Sequence, residues 1–283
     1  MVLQWFPGHM AKTRKLISEN LKLVDVVIEL VDARLPLSSR NPEIDAIVGE
    51  KPRILVLNKS DISDAEANKK WIKYFSDLGL HAILLDSLLG KGIAQLNSEI
   101  EIVLSEKFER DTKRGIQRHA VRMLVVGIPN VGKSSFINRL SGRAAAKTGD
   151  RPGVTTAKQW IRLAGKYELL DTPGILWPKF ENEFVARKIA FTGGIKDEII
   201  DIEELACYLL DYLKVEYSKN LQTRYKIEDE IEGMMGYDIL EIIGKKRGCV
   251  MSGGRIDTFR AANMVLDDFR AAKMGNITLE LPQ

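Results

Sequence analysis

The stretch Met123-Leu124-Val125-Val126-Gly127-Ile128-Pro129-Asn130-Val131-Gly132-Lys133-Ser134 decides the fold. Its first four residues read as a buried strand. Gly127 to Ser134 fit G-x-x-x-x-G-K-[ST], and a helix-length segment, Ser135 to Leu140, follows. Strand, glycine loop and helix in that order make a phosphate cradle. The glycines let the backbone N–H groups of Asn130, Val131, Gly132 and Ser135 face an anion, Lys133 reaches terminal phosphates, and Ser134 offers its hydroxyl to Mg²⁺. A glycine turn with a solvated lysine is the plainer reading of such an octapeptide, and the flanking strand and helix weigh against it.

Downstream, Asp171-Thr172-Pro173-Gly174 closes the strand Tyr167 to Leu170. An acidic residue at a strand end can hold Mg²⁺ through water, and the Gly174 N–H can meet a γ-phosphate, although the tetrapeptide alone is an ordinary turn. Between the two motifs lies Arg151-Pro152-Gly153-Val154-Thr155-Thr156, where one threonine hydroxyl can complete the Mg²⁺ shell, Thr156 being favoured over Thr155. Upstream, Asn58-Lys59-Ser60-Asp61 follows the apolar run Arg53 to Leu57. A carboxylate at Asp61 can accept two hydrogen bonds from guanine N1–H and N2–H₂, which adenine cannot supply, and the Lys59 stem can lie over the base. Leaving such an acceptor unpaired costs about 1 to 3 kcal/mol, enough to select the base.

Further apolar runs, Asp25 to Asp32 and His81 to Leu85, read as strands buried on both faces. Their alternation with helix-length segments predicts an α/β fold with a mostly parallel sheet and helices on both faces. Lys158 to Leu163 and Tyr167 to Leu170 read as a hairpin. Glu99 to Arg118 ends in Asp111-Thr112-Lys113-Arg114-Gly115; its first half reads as a helix and its second half as an exposed connection, where the two halves of the sheet join. After about residue 180 the strand rhythm stops, and Glu198 to Leu213 places Ile199, Ile202, Leu205, Ala206, Leu209, Leu210 and Leu213 on one helical stripe. Residues 1–180, with 1–24 as an N-terminal segment, are therefore expected as one domain, and 181–283 as a smaller, mainly helical second domain.

Of 283 residues 45% are hydrophobic, enough for a sizeable core. Lys and Arg exceed Asp and Glu by only 42 to 39, so any affinity for nucleic acid has to be local. Lys245, Lys246, Arg247, Arg255, Arg260, Arg270 and Lys273 outnumber Asp257, Asp267 and Asp268 in the tail. That excess fits phosphate-backbone contact, and equally a solvated helix face. Cys207 and Cys249 form no metal or redox pattern, no apolar run approaches the roughly 18 residues of a membrane span, and Met1 to Met10 lack the pattern of a secretory signal. The expected location is the cytoplasm.

The order Asn-Lys-x-Asp, phosphate loop, threonine segment, Asp-Thr-Pro-Gly is a rotation of the usual GTPase order and resembles that of the circularly permuted GTPases. Trp5-Phe6-Pro7-Gly8-His9-Met10, Asp32-Ala33-Arg34-Leu35-Pro36 and the tail from Gly248-Cys249-Val250 to Arg260-Ala261-Ala262 are similar to the bacterial ribosome-biogenesis branch of that family. The likeness spans essentially the whole chain. It implies a circularly permuted P-loop GTPase domain that binds GTP and GDP and turns over slowly until the ribosome stimulates it. It implies a partner in the precursor of the large ribosomal subunit, rRNA and ribosomal proteins rather than membrane or DNA, with Lys245, Lys246, Arg247, Arg255 and Arg260 as RNA contacts. In the base-edge loop GTPases often carry Ser-Ala-Lys. This chain has Asp86-Ser87-Leu88-Leu89-Gly90, where Ser87 takes that place. Asn130 resembles the asparagine of potassium-stimulated GTPases, which implies K⁺ beside Mg²⁺; a loop asparagine tolerating an unusual backbone angle is the alternative. Ile175, Leu176 and Trp177 after Gly174 cannot orient a water by hydrogen bonding. The resemblance puts His9 in that role, beside Lys133 and Gly174 at the reacting phosphate, against the alternative that His9 only packs or caps the first helix.

Overall fold

The computed structural model describes residues 18–116, 120–142, 159–163, 167–171 and 182–282. His9, Thr155, Thr156 and Gly174 lie outside that set, as does the side chain of Asp171. The described chain divides into two compact units, Met1–Val185 with Thr278–Gln283, and Ala186–Ile277.

The first unit is built on a six-stranded sheet: β1 (Val26–Asp32), β2 (Arg53–Asn58), β3 (His81–Leu85), β4 (Val121–Val126), β5 (Gln159–Leu163) and β6 (Tyr167–Asp171). The order is β3-β2-β1-β4-β6-β5, every neighbouring pair being parallel except the hairpin β5–β6. β1 is buried along its whole length, which explains its nearly continuous apolar run, interrupted by Glu29. From β1 the chain steps outward through β2 and β3, and from β4 it steps the other way to β6. The strand order thus reverses between β1 and β4, where Ile28 lies beside Val125. In open α/β sheets, ligands bind outside the strand C-termini at such a switch point. Asp32, Asn58, Asp86, Gly127 and Asp171 all lie at that edge.

The flanking helices of this unit are α1 (Ile44–Val48), α2 (Ala65–Asp77), α3 (Ile93–Val103), α4 (Ser105–Lys113), α5 (Lys133–Ser141) and the start of α6 (Glu183–Phe191). α2 shows how local chemistry sets an element. The Asp64 side chain accepts from the Ala67 N–H at 2.7 Å and caps the helix, while Ala67, Trp71 and Phe75 at helical spacing are buried. One expectation is corrected at α4. Asp111, Thr112 and Lys113 continue the helix, and the turn comes only at Arg114 and Gly115. Glu, Lys and Arg are good helix formers, and Arg110 and Lys113 in the last turn suit the helix dipole, so the charge run is a solvated helix rather than a connection.

In the second unit α7 (Ile202–Glu216) packs on α9 (Gly236–Lys246) and α10 (Thr258–Arg270), with α8 (Ser218–Tyr225) between. The stripe Leu205, Ala206, Leu209, Leu210 and Leu213 meets Ile239, Leu240 and Ile243 and the Ala261, Ala262, Val265 and Leu266 face in one buried core. The expected helix from Glu198 begins later, because Asp201 accepts from the Glu204 N–H at 3.0 Å and caps α7, leaving Asp197–Ile199 as a separate 3₁₀ turn. No described helix is long and apolar enough to cross a membrane.

A second correction concerns residues 278–282, expected with the helical domain. They belong to the first unit. The Leu279 N–H donates to the Arg34 carbonyl at 2.7 Å, the Asp64 N–H to Thr278 Oγ1 at 3.0 Å, and Trp71 Nε1 to the Glu280 carbonyl at 2.9 Å. The Glu280 carboxylate accepts from the Leu37 and Ser38 N–H groups and the Ser38 hydroxyl. This strap closes over the loops that follow β1 and β2.

Candidate nucleotide site

At the switch point the guanine-type motif and the phosphate loop meet, although 73 residues separate the groups that bond. Asn58 Nδ2 donates to the Val131 carbonyl at 2.7 Å. Gly132 makes that approach possible: a Cβ there would lie 2.3 Å from Asn58 Nδ2, and its φ of +94° suits glycine. On its other side Asn58 Oδ1 accepts from the Ser87 hydroxyl at 2.7 Å and the Ser87 N–H at 3.2 Å, and Arg139 Nε donates to the Ser87 carbonyl at 3.1 Å. One buried amide therefore ties the ends of β2, β3 and β4 together. Lys59 Nζ adds a second tie, donating to the Asn130 carbonyl at 2.6 Å.

Lys133 and Ser134 open α5, with Gly132 in the left-handed region as its N-cap. The Lys133 ammonium donates to the Gly127 and Ile128 carbonyls at 3.2 and 3.0 Å, folded onto its own loop, so entering phosphates compete with those carbonyls for it. Asn130 has φ +61°, the left-handed conformation that asparagine tolerates, so the backbone alternative for this residue has its own support. Asp86 Oδ1 accepts from the Leu88 and Leu89 N–H groups at 2.8 and 2.9 Å, a local turn that shapes the base-edge loop where Ser-Ala-Lys is common. Partial desolvation, and then the Asp86 charge, push the Asp61 carboxyl above its usual range. A base that donates two hydrogen bonds offsets that cost.

The residues suit Mg²⁺ in the form a nucleotide brings it. No group of three or more His, Cys, Asp or Glu capable of holding a metal exists among the described residues. Mg²⁺ in such sites takes one or two protein oxygens plus phosphates and waters. Ser134 lies in the first turn of α5, and the pairing Leu124 with Leu170 brings the backbone of Asp171 to the neighbouring strand end.

Two residues at this site carry no expectation from the phosphate or guanine motifs. The Asp32 carboxylate is buried, bound by Arg34 and 3.0 Å from Lys59 Nζ. Burial pushes it up, but the Arg34 and Lys59 charges and the Arg34 hydrogen bonds outweigh that and hold it well below the usual carboxylate range. The signal was an aspartate ending a fully buried parallel strand beside the ligand edge.

The tail bases differ among themselves. Arg247 Nη2 donates to the Arg224 carbonyl and its guanidinium lies 5.3 Å from the Tyr225 ring centroid, while Lys246 Nζ donates to the Lys226 carbonyl, so both finish the C-terminus of α8. Arg270 binds Asp197 and Lys273 binds Asp268. Lys245, Arg255 and Arg260 are exposed and make no ion pair or hydrogen bond through their side chains to a described residue, and Val250, Met251 and Phe259 in the same stretch of sequence are exposed too.

Residues 122–243 match a family described as "50S ribosome-binding GTPase", a match that starts at the phosphate-loop strand and leaves Asn58 to Asp61 outside it. Over all 283 residues the chain is 50% identical to the ribosome biogenesis GTPase A of Bacillus cereus, covering 95% of that protein. The chain belongs to the ribosome biogenesis GTPase A family. It is a GTPase, and a family that works on Mg²⁺-bound nucleotide fits the oxygen donors described above. The family's Thermotoga maritima member is 30% identical over 99% of this chain and 95% of its own length. A solved structure titled as GDP-bound YlqF of that source covers 94% of this chain and 99% of its own at 27% identity and a TM-score of 0.66. A mouse protein named mitochondrial ribosome-associated GTPase 1 is 32% identical over 99% of this chain and 90% of its own. The chain thus has a role in ribosome biogenesis.

Proposed function

We propose that this GTPase binds the immature large ribosomal subunit and couples GTP hydrolysis to a late step of its assembly, with the particle stimulating turnover. The observation that carries the reading is the bond from Asn58 Nδ2 to the Val131 carbonyl, which brings the Asn58 to Asp61 loop against the phosphate loop and so supports one site for base and phosphates. In this reading Asp61 accepts from guanine, the Lys59 stem covers it, and Ser87 meets its edge. The N–H groups of Asn130 to Ser135 and the Lys133 ammonium hold the phosphates. Ser134, Thr156 and Asp171 hold Mg²⁺, the Gly174 N–H meets the γ-phosphate, Asn130 holds K⁺, and His9 orients the attacking water. The names of the family and its relatives support the ribosomal partner, and the exposed Lys245, Arg255 and Arg260 support contact with rRNA through residues 186–277.

The test is sedimentation with purified large-subunit precursors in a GTP analogue and in GDP, together with turnover with and without particles. Nucleotide-dependent co-sedimentation is expected. In His9→Ala, stimulated hydrolysis should fall by about 100-fold while GTP affinity and particle binding hold. No particle binding in either nucleotide would make the chain a GTP-dependent regulator of some other partner. Replacing Na⁺ by K⁺ at equal ionic strength should raise the rate, less so in Asn130→Gly, which keeps the left-handed backbone. Equal rates in both salts would remove K⁺ from the site.

A further inference from the structure

The Asp32-Ala33-Arg34-Leu35-Pro36 motif has no task in the chemistry above, yet its geometry points at the base platform. Asp32 ends β1, and its side chain and that of Arg34 are each only 2% exposed. Asp32 Oδ1 accepts from the Arg34 N–H and Nε at 3.0 Å each, and Oδ2 from Arg34 Nη2 at 2.8 Å. The same Oδ2 lies 3.0 Å from Lys59 Nζ. Because Lys59 Nζ also donates to the Asn130 carbonyl, the ammonium is held from two sides, by β1 and by the phosphate loop. Lys59 itself has φ +63°, a backbone conformation costly for a lysine and kept only where its surroundings fix it.

We infer that Asp32 is a positioning residue for nucleotide recognition, holding the Lys59 side chain in place before the base arrives. Arg34 locks the Asp32 carboxylate, and the strap locks Arg34 in turn through the Leu279 N–H and the Glu280 carboxylate on the neighbouring Leu37 and Ser38 amides. A lysine stem left to rotate loses side-chain entropy when the base binds, and one already clamped does not. The inference rests on the reading of Lys59 as the base platform.

A double-mutant cycle on the full chain tests it, with affinity and dissociation rate of a fluorescent GDP as readouts. Lys59→Met is expected to weaken GDP by about tenfold. Asp32→Asn is expected to weaken it by several-fold and to speed dissociation in the wild-type background, and to have no further effect in the Lys59→Met background. An equal factor in both backgrounds would overturn the inference, since a merely structural loss acts whether or not the lysine is there. A weakened Lys59→Met beside an unaffected Asp32→Asn would also overturn it, while leaving the platform reading standing. An unaffected Lys59→Met would instead overturn the platform reading itself, and the inference with it. Asp32→Asn leaves the Arg34 charge buried and can fail to fold. In that event Asp32→Asn with Arg34→Leu removes both charges, and the same cycle with Lys59→Met decides.

Discussion

Each unit of the molecule buries an aspartate under an arginine fork, and the two are put to different uses. In the helical unit Asp268 accepts from Arg224 Nε at 2.9 Å and Nη2 at 3.0 Å, from the Tyr225 hydroxyl at 3.2 Å, and pairs with Lys273 at 3.3 Å. All of its partners belong to the same helical core, so the network fixes how α8 meets α10. In the GTPase unit Asp32 Oδ2 is shared between Arg34 and Lys59, and Lys59 continues to the phosphate loop. The arrangement of charge is alike; what differs is whether the chain of partners runs on to the phosphate loop. A buried ion pair is therefore informative about function only when its chain of partners is followed to the end.

The largest effect expected from breaking this comparison is on stability. Asp268→Asn should cost up to about 3 kcal/mol by leaving the Arg224 charge poorly matched, and should lower the melting temperature without changing GTP affinity in the folded protein. Weakened GTP binding would show that the helical network reaches the nucleotide after all. Burial pushes Asp268 up, but hydrogen bonds and charges of Arg224 and Lys273 hold it below the usual range, as Arg34 and Lys59 do for Asp32. A depressed carboxylate adds stability above its unfolded pKa of about 3.9 and loses it as pH falls through the folded value. Melting temperature should thus drop steeply below about pH 4, and less steeply in Asp268→Asn.

Asp61 should behave in the opposite sense. Its carboxyl is raised by partial desolvation and by Asp86, so ionising it works against the nucleotide-free fold as pH rises through its folded value. Asp61→Asn is expected to keep or gain stability while GTP binding weakens by about 10- to 100-fold and rejection of xanthosine triphosphate relaxes. GTP affinity of the wild type should also begin to fall at a higher pH than an ordinary aspartate would give. A variant that loses stability and keeps its affinity would make Asp61 a structural residue like Asp268.

The smallest effects concern the tail. Replacing Lys245, Arg255 and Arg260 by Ala should lower the salt slope of particle binding by about 0.7 to 0.9 for each phosphate no longer neutralised, with melting unchanged. Replacing Lys246 and Arg247 should mainly lower the melting temperature, because those side chains finish α8. If the second pair moves the salt slope and the first three do not, the assignment is reversed.

The GTPase unit was legible because phosphate and guanine chemistry dictate residue types at fixed spacing after buried strands, and Gly127 to Ser134 and Asn58 to Asp61 lie at the strand ends where that logic puts them. The helical unit was legible through the apolar period of Leu205, Leu209 and Leu213. Its first turn was not, since Ile199 continues the period and only the Asp201 cap stops it. The contrast among the tail bases was hidden as well, because a lysine that caps a carbonyl and one that faces solvent are the same letter. The Asp32 to Lys59 pair needed the parallel register of β1 with β2, and the strap needed tertiary pairings such as Thr278 with Asp64, which no local pattern announces.

That strap has a consequence for how the protein is made. The strap's bond from the Asp64 N–H to Thr278 Oγ1 joins residues 214 positions apart, the later of them after the entire helical unit. At about 5 to 20 residues per second, a ribosome synthesising this chain finishes Asp64 roughly 10 to 40 s before it supplies Thr278. Through that interval the Asp64 N–H, at the turn into α2, lacks its Thr278 partner, so the loop after β2 is held less firmly on the growing chain than in the folded protein.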